Sequence, residues 1–441
     1  MILPPLVPPY VLCLVLLWTA ASVWTAHGGQ AHPEISIYLP YHLSDVPLIK
    51  RVFDSKVLNG GDYQARELSY AVDALDCHFI AWSARHGFPH FLSLTNYICT
   101  IAIALILWRF LAVDLQLDRA AAGLLMLLFL TSPFVFFSSS YFRSAKILVT
   151  LALIVLIRQL HRGLTNVDTS GKRWLPFGIV ALAATLCDPQ GFFFVLLIAS
   201  LLGIYVVVRK APSAAAALVA AAAAVAISRA YNYALAPYLT LWLNGYWPDF
   251  SFQSLPWSQL LNGPLSYSLV GGSLLLDTTR FEFGDLPALW PLLLLEAGIL
   301  AIAIFRGRLW GVIATLAVLG LVVLNTLMVL RHPPLVWADV RRAEYFTPGA
   351  LVLSALFGFA LAAAAPRLHP VWMRVALACA LLANIAQLPA HQAVLSSGSL
   401  KDQIPLSAAL RRALLTGQPE PGIADHPLYK ALAPPENRRE R

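Results

Sequence analysis

The chain has 441 residues, of which 59% are hydrophobic and 12% charged, with a formal net charge of +8 and a mean hydropathy of +0.69. A soluble domain carries about 25% charge. The composition therefore excludes a water-soluble globular protein and describes an all-α polytopic membrane protein, and no basic run is present to carry a nucleic-acid partner.

Taken in order, the apolar runs predict a first span at about 6–26, read as an uncleaved helix because it lacks a basic amino-terminal flank. A polar loop over 27–92 follows. Within it, Pro33 to Asp45 reads as extended and irregular, and Val46–Ser55 as a short helix. The Gly60–Gly61 break is followed by a helix from Asp62 to about Arg85, with Asp62 as its cap. On that helix Asp62, Arg66, Ser69 and Asp73 share one stripe, and Leu68, Ala71, Val72, Leu75 and Phe79 form a second, apolar face. Further spans are predicted at about 93–113, 120–138, 145–160, 174–187, 191–208, 213–236, 286–305, 309–330, 347–365 and 371–389. That makes eleven, within a range of about 10–12. Residues 229–285 form a second polar region rich in Tyr and Trp, in which 265–276 is apolar but short and reads as re-entrant or interfacial. The loop 331–346 is a third. The chain divides into a membrane domain over 1–391 and a polar tail over 392–441, with a short helix at 405–415 and a disordered end.

Charge placement orders these spans. With loop 27–92 outside, Arg109, Arg119, Arg158, Arg162, Lys172, Arg173, Arg209, Lys210, Arg306, Arg308, Arg367 and Arg374 all fall on the inner side, as the positive-inside rule requires. The three polar regions and the turns at 138–146 and 187–190 then gather on the outer face, with the amino terminus inside. A bacterial inner membrane, with the active face periplasmic, is the expected location. Glu296 is costly in lipid and is expected to face protein.

On that outer face Asp62, Glu67, Asp73 and Asp76 offer a general base, which needs reach to a hydroxyl proton and a pKa tuned by burial. Arg143, Lys146, Arg331, His332, Arg341 and Arg342 stand at outer span ends, where they can pair with a phosphate. Two readings of the 62–79 stripe stay open: a solvated helix face, or the wall of a site. Asp188 sits in a tight Asp-Pro-Gln-Gly turn and either starts the next helix or joins the site. Neither the five cysteines nor the histidines show metal-ligand spacing, so no metal site is assigned, no cofactor is named, and a divalent cation is left open.

This pattern resembles the GT-C superfamily of membrane glycosyltransferases. The resemblance lies in many spans, a long first outer loop carrying amphipathic helices, the segment Gly61-Asp62-Tyr63-Gln64-Ala65-Arg66-Glu67, and the late loop Arg341-Arg342-Ala343-Glu344-Tyr345. It implies transfer of a sugar from a polyprenyl-phosphate or polyprenyl-diphosphate donor to a glycan, lipid or protein acceptor, with inversion. It also implies Asp62 as the leading base, with Glu67 and Asp73 as alternatives. The donor phosphate would be held among Arg66, Arg143, Lys146, Asp188, Arg341, Arg342 and Tyr345, and membrane lipids are the other partners. The rival readings are a transporter or flippase of a lipid-linked or anionic solute, and a non-catalytic subunit of an envelope-assembly complex.

Overall fold

Segments too apolar for water and too polar at their ends for lipid arrange themselves here as a helical bundle with one capped end. The computed structural model describes residues 7–25, 33–60, 63–139, 142–165, 174–249, 271–275, 296–298, 301, 308–330, 344–366, 369–397 and 401–433. The bundle helices are α1 (Pro9–Thr25), α6 (Leu94–Arg109, extended by a π turn over Phe110–Asp114), α7 (Arg119–Thr131), α8 (Pro133–Ser139), α9 (Ala145–Thr165), α10 (Trp174–Cys187), α11 (Pro189–Arg209), α12 (Pro212–Ala230), α13 (Ala236–Asn244), α14 (Arg308–Leu330), α15 (Thr347–Ala364) and α16 (Pro370–Ser397). First-loop helices are α2 (Pro33–His42), α3 (Leu48–Val52), α4 (Ser55–Asn59) and α5 (Glu67–Arg85), and the tail forms α17 (Gln403–Thr416) and α18 (Pro427–Leu432).

Among the described residues, seven segments are long and apolar enough to cross a membrane, and three shorter apolar helices accompany them. These ten match the expected spans apart from 286–305, which lies outside the described residues except at 296–298 and 301. The segment Glu344–Ala364 is 72% buried and Pro370–Gln387 only 22%, so α15 runs through the middle of the bundle and α16 lies at its edge. Between α10 and α12 the contact is made by alanines. Ala217, Ala221 and Ala224 lie one above another and meet Ala181 and Ala184, which lets the backbones approach closely where no hydrophobic effect drives helices together.

The α10–α11 turn is tighter still. A Cβ on Gly191 would stand 1.9 Å from the Ala184 carbonyl oxygen and 2.6 Å from its carbon. Gly191→Ala is expected to pry the two helices apart and lower the thermal midpoint in detergent by at least the cost of overpacking, about 1–3 kcal/mol. A wild-type midpoint would disprove the close approach.

Several expected boundaries shift. Of Pro33–Asp45, read as extended, Pro33–His42 is helical. Pro33 starts α2 at a position that needs no N–H, and Ile35, Tyr38 and Leu39 bury one face. The 46–55 helix is two short ones, split where Asp54 caps α4 by accepting from Val57 N. The helix predicted from Asp62 begins at Glu67, after Arg66, and Gly61 and Asp62 lie outside the described residues. The span predicted at 213–236 continues through a π turn at Tyr231–Leu235, so Ala214–Asn244 runs for 31 residues. At 1.5 Å per residue that is roughly 46 Å, more than the ~30 Å hydrocarbon core. Its projecting end carries Tyr and Trp residues assigned to a loop, and binds the first loop through Asn244 Nδ2 to Lys50 O (3.1 Å) and Tyr246 Oη to Asp54 Oδ1 (3.0 Å).

The tail differs most. Predicted as polar with one helix, it has two, and Leu410, Ala413, Leu428, Tyr429 and Leu432 share a core with Ile35, Tyr38, Leu39, Tyr70 and Ile80 of the first loop. First loop and carboxyl tail therefore lie at the same end of the bundle. Helix α5 closes this cap with its polar side inward. Ser69, Asp73 and Asp76 are buried, whereas Leu68, Leu75 and Trp82 are 41%, 66% and 54% exposed, so the reading as a solvated charged face is wrong. An outward apolar stripe beside polar buried groups is what a helix at the lipid headgroups presents.

The 271–275 segment is buried and non-helical, in keeping with a re-entrant reading. Its backbone is satisfied by side chains: Asn325 Nδ2 donates to Gly271 O (2.9 Å), Asn384 Nδ2 to Leu274 O (2.7 Å), and Glu296 Oε1 accepts from Leu274 N and Leu275 N at 2.8 and 3.2 Å. Glu296 thus faces protein, as expected. Glu296→Leu would strand two amides in a medium with no water, at about 1–3 kcal/mol each. Glu296→Gln keeps an acceptor oxygen, so its thermal midpoint should fall less. Equal midpoints for the two variants would remove this role.

Candidate active site

Four helix starts, those of α5, α9, α11 and α15, and the end of α10 converge under the cap. Asp188 caps α11, its Oδ1 accepting from Gln190 N at 2.9 Å. The cap leaves its carboxylate pointing at α5 and α9. Arg66 Nε donates to Asp188 Oδ2 at 2.8 Å and Lys146 Nζ to Oδ1 at 2.6 Å, all three side chains being 5% exposed or less. Burial alone would raise the Asp188 pKa, but Lys146 and Arg66 hold it well below the ordinary carboxylate range. The same contact outweighs the burial of Arg66 and keeps its guanidinium firmly charged.

Neighbouring bonds fix this group. Lys146 Nζ lies 4.4 Å from the centre of the Tyr345 ring, and Gln190 Nε2 donates to Tyr345 O at 2.7 Å, tying the start of α15 to α11. Ser69 Oγ lies 2.8 Å from Cys187 O. Asp73 Oδ1 accepts from Ser144 N at 3.0 Å and from Ser144 Oγ at 2.6 Å, which holds the turn carrying Arg143 and Lys146. Arg143 pairs with Glu34 (3.3 Å) and donates to the Tyr38 hydroxyl. Asp76 is bound to Ser93 and Thr95 at the start of α6.

Among the described residues the cations are not saturated: of five N–H donors Arg66 uses Nε on Asp188, and Lys146 uses one of three ammonium hydrogens. A second polar cluster adjoins it. Tyr63 Oη donates to Glu67 Oε1 at 2.7 Å and lies 3.3 Å from Asn232 Oδ1, while Glu67 Oε2 is buried with no partner among the described residues. Burial pushes Glu67 up to about 7 in spite of the Tyr63 bond, and Asp73 to about 6 in spite of Ser144. The arrangement can hold an anion against Arg66 and Lys146 and take a proton close by.

The chain superposes on the crystal structure of ArnT from Cupriavidus metallidurans bound to undecaprenyl phosphate, with a TM-score of 0.53 over 92% of this chain and 69% of that one, at 15% sequence identity. The likeness is one of fold: the helical bundle of this chain has the architecture of that ArnT structure. No family model and no curated protein matches the sequence.

Within this fold, Arg66, Lys146, Asp188 and Tyr345 stand together, Arg143 is one residue before the Ser144 anchor, and Glu67 and Asp73 lie on adjoining turns of α5. Asp62, Arg341 and Arg342 are outside the described residues. Ser144 and Asn232 were not singled out in the sequence. Ser69 stood on the polar stripe of α5, Tyr63 in the Gly61–Glu67 segment and Gln190 in the Asp-Pro-Gln-Gly turn, none of them with a role of its own. Among the described residues no three His, Cys, Asp or Glu side chains gather as a metal-binding set, and all five cysteines are free thiols.

Proposed function

We propose that this protein is a glycosyltransferase that moves a sugar from a polyprenyl-phosphate or polyprenyl-diphosphate donor to an acceptor hydroxyl, with inversion, at the capped end of the bundle. On this reading that end is periplasmic in a bacterial inner membrane, and the distribution of Lys and Arg supports that orientation. The buried Arg66–Asp188–Lys146 cluster carries the reading. It is a preorganised pair of cations with donors to spare, at headgroup depth, in a fold shared with a protein whose crystal structure holds undecaprenyl phosphate.

In this mechanism Arg66 and Lys146 bind the donor phosphate and stabilise the charge that grows on it as the bond to the anomeric carbon breaks and its electron pair passes to the phosphate oxygen. Arg143, Arg341 and Arg342 add positive charge, and Tyr345 orients Lys146. The acceptor oxygen attacks the opposite face of the anomeric carbon and loses its proton to a first-loop carboxylate. Glu67 has a buried unpartnered oxygen and a pKa near that of an effective base. Asp62, four residues before Arg66, is the other candidate. Asp73 is committed to Ser144 and acts as a positioning residue.

The test is a purified protein in proteoliposomes with a panel of radiolabelled polyprenyl-phosphate sugars, alongside thermal stabilisation by undecaprenyl phosphate. Wild type should consume a donor and release polyprenyl phosphate, and Lys146→Met should do neither. Absence of both consumption and stabilisation in wild type would reject the proposal.

A further inference from the structure

The opposite half of the bundle has a feature the proposed reaction does not use. Helices α9, α11, α14 and α15 part to leave an apolar cleft of about 170 Å³, lined by residues that include His161, Leu201, Tyr205, Ile313, Leu356 and Phe359. Cavities of ~150 Å³ with such walls stay dry and admit hydrocarbon. His161 is fifteen residues beyond Lys146 on α9, and Tyr205 seventeen beyond Asp188 along α11. At 1.5 Å per residue, this end of the cleft is roughly 22–25 Å from the Arg66–Asp188–Lys146 cluster, close to a full hydrocarbon thickness.

Cations gather at that far end. Arg209 is one turn past Tyr205 on the same face of α11 and is exposed, as is Lys210, the residue that ends the helix. Arg158 and Arg162 share the single carboxylate of Asp114, at 2.6 and 2.8 Å, which leaves one positive charge in excess, and the Arg162 side chain is 49% exposed. Within the lining, His161 Nε2 meets Asp114 O at 3.2 Å, and its Nδ1 is buried with no partner among the described residues. A hydrocarbon slot that ends in a cationic rim fits one kind of occupant, an amphiphile with its anionic head at this end.

We propose that this cleft is a binding site for an anionic phospholipid of the leaflet opposite the cap. One acyl chain lies in the cleft, and the phosphate sits at Arg209, Lys210 and Arg162. A polyprenyl donor bound for transfer has its phosphate at the other end of the bundle, so the two lipids do not compete for the same cations. The inference is independent of the proposed transfer reaction and stands or falls on lipid binding alone.

The protein is incubated with vesicles of phosphatidylcholine and phosphatidylglycerol, and retained lipid is counted by native mass spectrometry. Separately, wild type is photolabelled with phosphatidylglycerol carrying a diazirine near the end of one acyl chain. One phosphatidylglycerol should be retained per chain, favoured about tenfold over phosphatidylcholine. The label should map to peptides of α9, α11, α14 or α15 at the cleft. Arg209→Gln with Lys210→Gln should lower retention about tenfold, and Ala317→Phe, which fills the cleft, should abolish the label. The proposal is overturned by equal retention of the two phospholipids, by labels mapping elsewhere, or by undecaprenyl phosphate displacing the label at equimolar concentration. Because the photolabelling uses wild type, a variant that fails to fold leaves the decision intact.

Discussion

Asp188→Asn is expected to abolish sugar transfer and to lower stability by about 3–5 kcal/mol, the cost of leaving buried charge unpaired when one partner of an ion pair is removed. The substitution isolates the charge. Asparagine keeps an oxygen that can accept from Gln190 N, so the cap on α11 survives. What is lost is the anion between Arg66 and Lys146, each within 2.8 Å of it. Two cations then face each other at low dielectric, and Lys146 would shed its proton or swing away. The phosphate site is disrupted with it. Thermal midpoints in detergent and donor consumption in proteoliposomes measure the two effects. Adding Lys146→Met to Asp188→Asn removes the repulsion, so the double variant should regain stability without regaining transfer. The exposed pair Asp118–Arg374 supplies the comparison, since screened surface bridges contribute little. If Asp118→Asn shifts the midpoint as much as Asp188→Asn, the buried cluster does not hold the bundle as described.

Glu67→Gln is expected to cost about 10²–10⁴ in transfer rate, the usual contribution of a positioned general base. Binding of undecaprenyl phosphate should be unchanged, because Glu67 lies outside the cation cluster. The pH dependence gives the sharper signature. Burial raises Glu67 to about 7, so the ionised, proton-accepting form prevails only above that pH, and the wild-type rate should climb up to about 7 and then level off. The variant should lose that limb. Stability moves the opposite way. Between the ordinary carboxylate range and about 7 the unfolded chain has released this proton while the folded protein retains it, so this group's contribution to stability falls as pH rises through that window. Glutamine carries no such penalty, and the variant should match wild type in acid and exceed it above neutrality. Full activity in Glu67→Gln, together with loss of activity in Asp62→Asn, would assign the base to Asp62.

The sequence already showed the bundle, because every span must satisfy its backbone internally and therefore reads as a long apolar run. It also brought Arg66, Lys146, Asp188 and Tyr345 onto one face, through the sidedness of Lys and Arg. It put Asp62 first among the first-loop carboxylates, but it could not separate Glu67 from Asp73. Asp73 and Glu67 sit on one helix six residues apart, and the difference between them is an external one: Ser144 bonds Asp73, while Glu67 Oε2 is left unpartnered. The direction in which α5 faces was equally hidden. Its polar stripe and its apolar stripe are both present in the sequence, and which of them turns inward depends on whether the surroundings are water or lipid and on what α6, α9 and α10 offer.

By itself, then, the sequence determined that the chain is a polytopic helical membrane protein, that its first loop shares a side with the turns carrying Ser144 and Asp188, and that α11 begins at an acidic turn. Composition, span length and charge asymmetry are properties of the chain and need no contacts to be read. Only the tertiary structure decided that the tail folds back onto the first loop, that α13 rises out of the bundle to meet it, and that Asp188 stands between Arg66 and Lys146. The bonds of Asp188 and of α13 join residues 42 to 194 positions apart, the tail packs on residues still further away in the chain, and no local pattern of spacing encodes a contact of that range.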